Sequence, residues 1–330
     1  MDIVFIEKLT KAFNGLTAVD HIDLSVKKGE IFGLLGPNGA GKTTIINMLC
    51  TILAPTSGKG MVAGHDIINE PDAVRKSIGL VFQDPSLDDQ LTARENLYIH
   101  GLLYGLTKKE IDKRINEVLE LVELSDRADT VVKIYSGGMK RRLEIARGLI
   151  HYPQVLFLDE PTIGLDPQTR KHIWDYILML KEKQKMTIIL TTHYMEEAEE
   201  TCDRIAIIDH GKIVALDTPR GLRSMIGGES IVIYTPTPSK VAQKCPKTKD
   251  SLKCLKTREY EDRVILTVKN AGKELPEILE KIGASGIEIT EVEIHKPTLN
   301  DVFLHLTGKT IREEEASSLE RLKAVGWPRR

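Results

Sequence analysis

The sequence predicts an α/β core with an antiparallel β edge and a helical insert, followed by a small C-terminal α+β appendage. Three stretches carry that reading. Ile31-Phe32-Gly33-Leu34-Leu35 is a short apolar run that reads as a buried strand; the glycine-rich run over 36–43 follows it, and Ile45, Met48, Leu49 and Ile52 then recur at helical spacing. Val155-Leu156-Phe157-Leu158 is a second buried strand and delivers Asp159 and Glu160 at its carboxyl end. A third strand, over 187–192, ends at His193.

The loop between the first strand and its helix, Gly36-Pro37-Asn38-Gly39-Ala40-Gly41-Lys42-Thr43, has the spacing G-x-x-x-x-G-K-[ST]. At average residue usage such a match arises by chance at about one position in 30,000, roughly 1% for a chain this long. A plain glycine turn capping a helix explains neither the lysine nor the hydroxyl. Gly36, Gly39 and Gly41 are expected to adopt backbone angles closed to other residues and to let the main chain approach phosphate oxygens. The amides of the loop, continuing through Thr44, then point at the anion, and the opening turn of the helix adds its positive dipole end. Lys42 brings a full charge to the outer phosphates, and the Thr43 hydroxyl suits a Mg2+ ligand position.

Length and composition bound the rest. A chain of 330 residues is long enough for two cores. Its 46 Lys and Arg against 48 Asp and Glu leave a formal net charge of -2, which gives no global pull toward nucleic acid or an anionic membrane. The opening Met1-Asp2-Ile3-Val4-Phe5-Ile6-Glu7 places acids where a signal peptide carries basic residues, and no run approaches the eighteen or so apolar residues that cross a bilayer. Cys50, Cys202, Cys245 and Cys254 are scattered, with no C-x-x-C pair, and read as reduced structural thiols.

In chain order, residues 1–35 alternate apolar runs with turn signals, 3–6 and 18–26 flanking a turn over 11–15, and read as the antiparallel edge. Phe13 in that turn either stacks on a nucleobase or packs locally. Residues 60–63 and 78–82 read as further strands, the second ending at Gln83, which is either a ligand contact or a loop glutamine. The pattern is helical over 91–125, where Thr107 and Glu110 form a capping-box signature ahead of Ile111, Ile115, Val118, Leu119 and Val122. Tyr135-Ser136-Gly137-Gly138-Met139 opens a helix carrying Leu143, Ile145, Ala146, Leu149 and Ile150; its serine and glycines make either a second anion site or an ordinary N-cap. Asp159 and Glu160 fit a Mg2+ carboxylate and a water-polarising base. A Gly164-Leu165-Asp166-Pro167 turn leads into another helix, and two strands joined at His210-Gly211 form a hairpin that closes the domain near residue 220. Beyond it, 229–234, 263–268 and 287–294 read as strands, and 275–282 and 299–306 as helices. Lys240, Lys244, Lys247, Lys249, Lys253 and Lys256 crowd one stretch that reads as a solvated loop or a membrane-facing patch. Residues 311–330, with Trp327, form a charged frayed helix or tail.

Over roughly residues 1–220 this ordered set resembles the ATP-binding subunit of an ATP-binding cassette (ABC) transporter. Residues 36–43 look like the Walker A motif, Gln83 the Q-loop, 135–139 the signature, 155–160 Walker B, 164–166 the D-loop and His193 the switch histidine, and Phe13 matches the adenine-stacking position. Tyr135 and Met139 stand where the signature usually has Leu and Gln, so a terminal glutamine's hydrogen bonds are absent while the Ser136 hydroxyl and the Gly137 and Gly138 amides remain. The Tyr-Ser-Gly-Gly-Met variant and the ending over 297–308 look like the daunorubicin-resistance branch of multidrug and antibiotic exporters.

That resemblance implies a division into an ATP-binding domain over 1–220 with its helical insert at about 84–150, an accessory domain over 221–310 and the tail. It implies an ATPase with Glu160, His193 and Gln83 as catalytic residues. ATP would lie against Phe13, Gly36, Pro37, Asn38, Gly39, Ala40, Gly41, Lys42, Thr43 and Thr44 of one subunit and Ser136, Gly137, Gly138 and Asp166, with Mg2+ at Thr43, Gln83 and Asp159. It implies a head-to-tail homodimer at the cytoplasmic face of the membrane, working with a separate permease and no nucleic acid. The rivals are a soluble ABC ATPase acting on DNA or ribosomes, which usually has coiled-coil insertions or tandem cassettes, and a P-loop metabolic kinase, which has no need of Ser136-Gly137-Gly138.

Overall fold

The computed structural model describes residues 2–84, 86–244 and 254–307. The tail reading, and the lysines at 247, 249 and 253, lie outside the described residues. The chain divides after Pro219 into two compact units. Among the described residues no helix is long and apolar enough to cross a membrane.

The first unit opens on two long antiparallel strands, β1 (Asp2–Phe13) and β2 (Leu16–Lys27). The turn between them is narrower than the sequence suggests, since only Asn14 and Gly15 lie outside the strands, both at positive φ as a tight hairpin requires. Val4, Ile6 and Leu9 face inward with Val19, Ile22, Leu24 and Val26. After β3 (Ile31–Leu35) and α1 (Lys42–Leu49), β4 (Ser57–Val62) and β5 (His65–Asp66) return to the same sheet, which is ordered β2-β1-β4-β5.

The second sheet holds the chemistry. Helix α2 (Pro71–Ser77) leads into β6 (Ile78–Val81), and α3 (Ala93–Leu103), α4 (Lys108–Leu121) and α5 (Gly137–Leu149) separate it from β7 (Val155–Asp159). Then follow α6 (Pro167–Gln184), β8 (Thr187–Thr192), α7 (Met195–Thr201), β9 (Arg204–Asp209) and β10 (Lys212–Asp217). The sheet order is β10-β9-β3-β8-β7-β6, with all neighbours parallel except β10, which turns back through His210 and Gly211 at positive φ. Every residue of β3, β7 and β8 is buried, which explains their continuous apolar composition: a parallel strand covered on both faces has no polar side to alternate with. Parallel direction also brings the ends of β3, β6, β7 and β8 to one edge of the sheet.

Thr107 caps α4 through the capping box read in the sequence, and Thr92 with Glu95 forms a second box on α3. Ile111, Ile115, Val118 and Leu119 bury one face of α4; each such side chain is worth about 1.5 to 3 kcal/mol on burial. Where α3 meets the strap after α5, Tyr104 stacks on His151 at 3.7 Å between ring centres and contacts His100 at 5.1 Å. Burial, helped by Arg147, pushes the His100 pKa down to about 3; burial, against a hydrogen bond to Ile78 O, pushes His151 down to about 4. Both stay neutral in the fold while an unfolded histidine protonates near 6.5, so the unfolded state binds more protons and stability is lost as pH falls below that value. Between neutrality and about pH 5 the expected loss is about 2 kcal/mol per histidine, read as a falling urea midpoint that flattens in His100→Phe.

The second unit has its own core. Helix α8 (Pro219–Ser224) leads into β11 (Glu229–Tyr234), α9 (Pro238–Lys244), β12 (Cys254–Glu259), β13 (Arg263–Val268), α10 (Ala271–Gly283), β14 (Glu291–His295) and α11 (Leu299–Thr307). The antiparallel order β12-β13-β11-β14 on a β-α-β-β-α-β path is the ferredoxin-like arrangement. Ile231, Ile233, Val264, Leu266 and Val268 pack on Val241, Ala271, Ile278 and Ile282 from α9 and α10. The lysine-rich stretch is therefore not one loop: Lys240 lies in α9 and Lys256 in β12. Strand β14 starts four residues later than expected from 287–294, and α10 starts four residues earlier than expected from 275–282.

Candidate nucleotide site

Strand β3 fixes the start of the glycine loop, and α1 fixes its end. Gly39 and Gly41 take positive φ, 83° and 108°. Gly36 does not, and its requirement is space: a Cβ there would stand 2.3 Å from Ile208 O on β9. The first glycine thus seats the loop against the sheet, while the other two shape it. Pro37 and Ala40 are buried beneath the loop, and Asn38 and Gly39 are exposed at its tip. Lys42, only 4% exposed, curls under the loop and donates from Nζ to Gly36 O (2.7 Å) and Pro37 O (3.1 Å). An ammonium held this way beneath open amides is a preformed cradle for an anion.

The end of β7 supplies the acids. Thr43 Oγ1 donates to Asp159 Oδ1 at 3.2 Å, and Thr191 on β8 donates to the same oxygen. The Thr191 hydroxyl also accepts from Glu160 N at 2.9 Å, so one side chain holds both acids in register. Glu160 sits at φ 48°, an angle that costs a non-glycine residue about 1 to 2 kcal/mol and that turns its carboxylate away from the strand direction. Its Oε1 lies 3.6 Å from Lys42 Nζ and 3.3 Å from His193 Nδ1, the latter without hydrogen-bond geometry. Glu160 Oε2 is buried without a hydrogen-bond partner among the described residues. Burial pushes the Glu160 pKa up, but His193 and Lys42 outweigh it and hold the carboxyl below its usual value. Lys42, Thr43, Asp159, Glu160 and His193 thus converge on one edge. The hydroxyl and carboxylate oxygens at Thr43 and Asp159 are the hard donors Mg2+ takes, and an orphaned carboxylate oxygen beside a lysine suits a proton acceptor.

The other expected residues make no hydrogen bond or ion pair to that cluster among the described residues, although Gln83 lies at the same sheet edge, since Val81 pairs with Leu158. Ser136 is the N-cap of α5, accepting from Met139 N at 3.3 Å, with Gly137 exposed beside it. Tyr135 anchors the approach by donating to Arg127 O at 2.7 Å. Gly138 packs so closely on α6 that a Cβ would meet Thr169 Cγ2 at 2.4 Å, and Asp166 caps α6 by accepting from Thr169 N at 3.0 Å. Gln83 is exposed past the end of β6 and makes no hydrogen bond to the cluster among the described residues. Phe13 is an exposed ring at the tip of β1 with Lys11 Nζ 5.1 Å from its centre.

Two residues the sequence reading passed over hold the site together. Arg141 on α5, buried, donates to Phe82 O, Asp159 O, Glu160 O and Pro161 O at 2.5 to 3.1 Å, and pairs with Glu144 at 3.1 Å. One guanidinium therefore ties the Ser136 helix to the acid-bearing strand end and to the segment that enters Gln83. Glu197 on α7 accepts from Thr162 and Thr192 and lies 3.3 Å from Arg170, joining the histidine segment to α6. Burial raises the Glu197 pKa against those contacts.

An ammonium, a hydroxyl and two carboxylates at the carboxyl edge of a parallel sheet, beside a glycine loop opening a helix, define a P-loop nucleoside triphosphatase. Residues 19–163 match the family described as ABC transporter, and residues 218–307 match that described as ATP-binding protein DrrA1-3-like, C-terminal domain. Over 308 residues the chain is 41% identical to the linearmycin resistance ATP-binding protein LnrL of Bacillus subtilis (strain 168), covering 93% of this chain and 99% of that protein. It is 39% identical to the daunorubicin resistance ATP-binding protein DrrA3 of Streptomyces coeruleorubidus, covering 95% and 98%. Two solved cassettes share the fold: cbiO1 from Clostridium perfringens, part of the transporter complex cbiONQ (TM-score 0.63, 30% identity, 67% of this chain and 90% of that one), and a dimeric post-hydrolysis state of MJ0796 bound to ADP and Pi (TM-score 0.59, 28% identity, 65% and 98%). The chain belongs to the ATP-binding proteins of ABC transporters, in the DrrA-like group, and is an ATPase.

Proposed function

We propose that this chain powers the export of drugs, antibiotics or other hydrophobic compounds by closing as a head-to-tail homodimer on two ATP molecules at the cytoplasmic face of a membrane, against a separate permease. One observation carries the dimer: Lys42, Glu160 and His193 converge, whereas Ser136 and Gly137 present a second exposed helix start elsewhere on the same unit. A second copy supplies the missing half of each site, with Ser136, Gly137 and Gly138 of one subunit meeting ATP held at residues 36–44 of the other, and Asp166 lying at the same face. Phe13 stacks on the adenine. Glu160 takes the proton of the attacking water, and His193 contacts the γ-phosphate. Thr43, Asp159 and Gln83 would hold Mg2+, which supplies charge neutralisation of the phosphate oxygens. The export reading follows the names of the relatives LnrL and DrrA3.

Lys42→Ala is expected to weaken equilibrium ATP binding roughly 10- to 100-fold, because it removes a charge-assisted contact of about 1.5 to 3 kcal/mol. Affinity unchanged from the parent would remove the cradle from the account. The transporter reading is tested by pulling a tagged chain from detergent-solubilised source membranes. Recovery of one multi-span protein is expected; recovery of ribosomes or DNA-bound proteins alone would contradict it.

A further inference from the structure

The second unit contains a cavity of about 480 Å³ that belongs to none of the chemistry above. Arg220 and Arg223 on α8, Lys269 just past β13 and Lys296 just past β14 all line it. The sheet register brings them together. Glu229 pairs with Val268 and Ser230 with His295, so Lys269 and Lys296 leave the sheet at the same end, on either side of the first residue of β11. The main chain enters that point through Gly228, at φ 152°, so close to β13 that a Cβ would stand 2.5 Å from Val268 O. A glycine is needed there for the chain to pass beneath the cations.

Four cations thus face a single lining carboxylate, Glu229, whose Oε2 is already engaged by Ala271 N at 2.6 Å. Arg220, Lys269 and Lys296 form no ion pair among the described residues. A solvated charged surface usually intersperses the two signs; here three separate segments deliver one sign to one concavity, and a bound anion would offset the repulsion among Arg220, Lys269 and Lys296. Guanidinium forks beside ammonium point charges match the oxygens of a phosphate, which takes several charge-assisted hydrogen bonds at once.

We propose that this cavity binds a phosphate-bearing ligand, as a site separate from the nucleotide loop of the first unit. The chemistry is shared by a free phosphate compound and a phospholipid headgroup, and the test separates them. Full-length parent, Lys269→Ala/Lys296→Ala and a control double variant, Lys273→Ala/Lys281→Ala, are compared by calorimetric titration with inorganic phosphate and by flotation with phosphatidylglycerol vesicles against phosphatidylcholine ones. Both pairs lie on the surface, so folding is expected to persist and is checked by the thermal midpoint. The phosphate loop around Lys42 is common to all three proteins, so only the binding removed by the first pair is counted.

Loss of about tenfold in phosphate affinity at one site in the first double variant alone supports a free ligand. Loss of phosphatidylglycerol flotation in that variant alone supports the headgroup. Binding of both probes unchanged in the first double variant, or weakened equally in both variants as diffuse charge would dictate, overturns the proposal.

Discussion

Glu160→Gln is expected to lower ATP turnover by a factor of about 10² to 10⁴ while ATP binding persists. The substitution keeps the shape of a side chain that is 6% exposed and removes its capacity to accept a proton, together with the charge that faces Lys42 and His193. In the parent that capacity is secured in two ways: Lys42 and His193 favour the charged form, and Oε2 has no hydrogen-bond partner among the described residues. The positive φ at Glu160 aims the carboxylate, and Thr191 fixes the backbone that bears it. Steady-state phosphate release measured beside equilibrium ATP binding separates the two effects. Turnover equal to the parent would take Glu160 out of its role. The sign of its pKa shift also sets a pH expectation. Protonation of Glu160 falls below the ordinary 4.5, and its stabilising contribution is present above that value and lost as pH drops through the lowered one. The neutral pair His100 and His151 loses stability from 6.5 downward, so on acidification the fold weakens before Glu160 is titrated.

Arg141→Met is expected to cost about 3 to 5 kcal/mol of stability, the range for removing one partner of a buried pair. Glu144, 1% exposed, would keep its charge with hydrogen bonds from the Ser86 amide at 2.8 Å and hydroxyl and with Arg147 as the remaining nearby cation, and four main-chain carbonyls would each lose a donor. Arg141→Lys should recover little, because one ammonium cannot span Phe82, Asp159, Glu160 and Pro161 together. The double change Arg141→Met with Glu144→Met should recover part of the loss, since the buried charge goes with its partner. Urea midpoints of the single and double variants give the comparison, and a single variant as stable as the parent would contradict it. In folded Arg141→Lys, kcat should fall more than ATP affinity, because Arg141 positions the acids and touches no part of the cradle.

The parts of the molecule readable from sequence are those where a local rule has a strong period or an uncommon residue set. Strands β3, β7 and β8 announce themselves because parallel strands buried on both faces are unbroken apolar runs, and the turn at His210 and Gly211 because positive φ selects its residues. Strand β12 and helix α9 are hidden for the opposite reason: β12 is an edge strand with lysine and arginine in its sequence, and α9 is seven residues that, among the described ones, bury the apolar side chains of Pro238 and Val241. Arg141 is invisible because three consecutive basic residues, Lys140, Arg141 and Arg142, look alike in sequence. Only the packing of α5 on β6 and β7 selects the middle one for burial. Gly36 was legible as a glycine but not for its reason, which lies in the carbonyl of Ile208, far along the chain.

The central claim is that two copies complete each other's ATP site, and sedimentation of Glu160→Gln tests it most directly, because a protein that binds ATP without turning it over should accumulate in the closed form. With Mg2+ and saturating ATP the account predicts a shift from monomer to dimer carrying two ATP per dimer, abolished when Ser136→Arg is added to block the second anion site. A protein that binds ATP fully and stays monomeric at every concentration, or a dimer indifferent to Ser136→Arg, would contradict it.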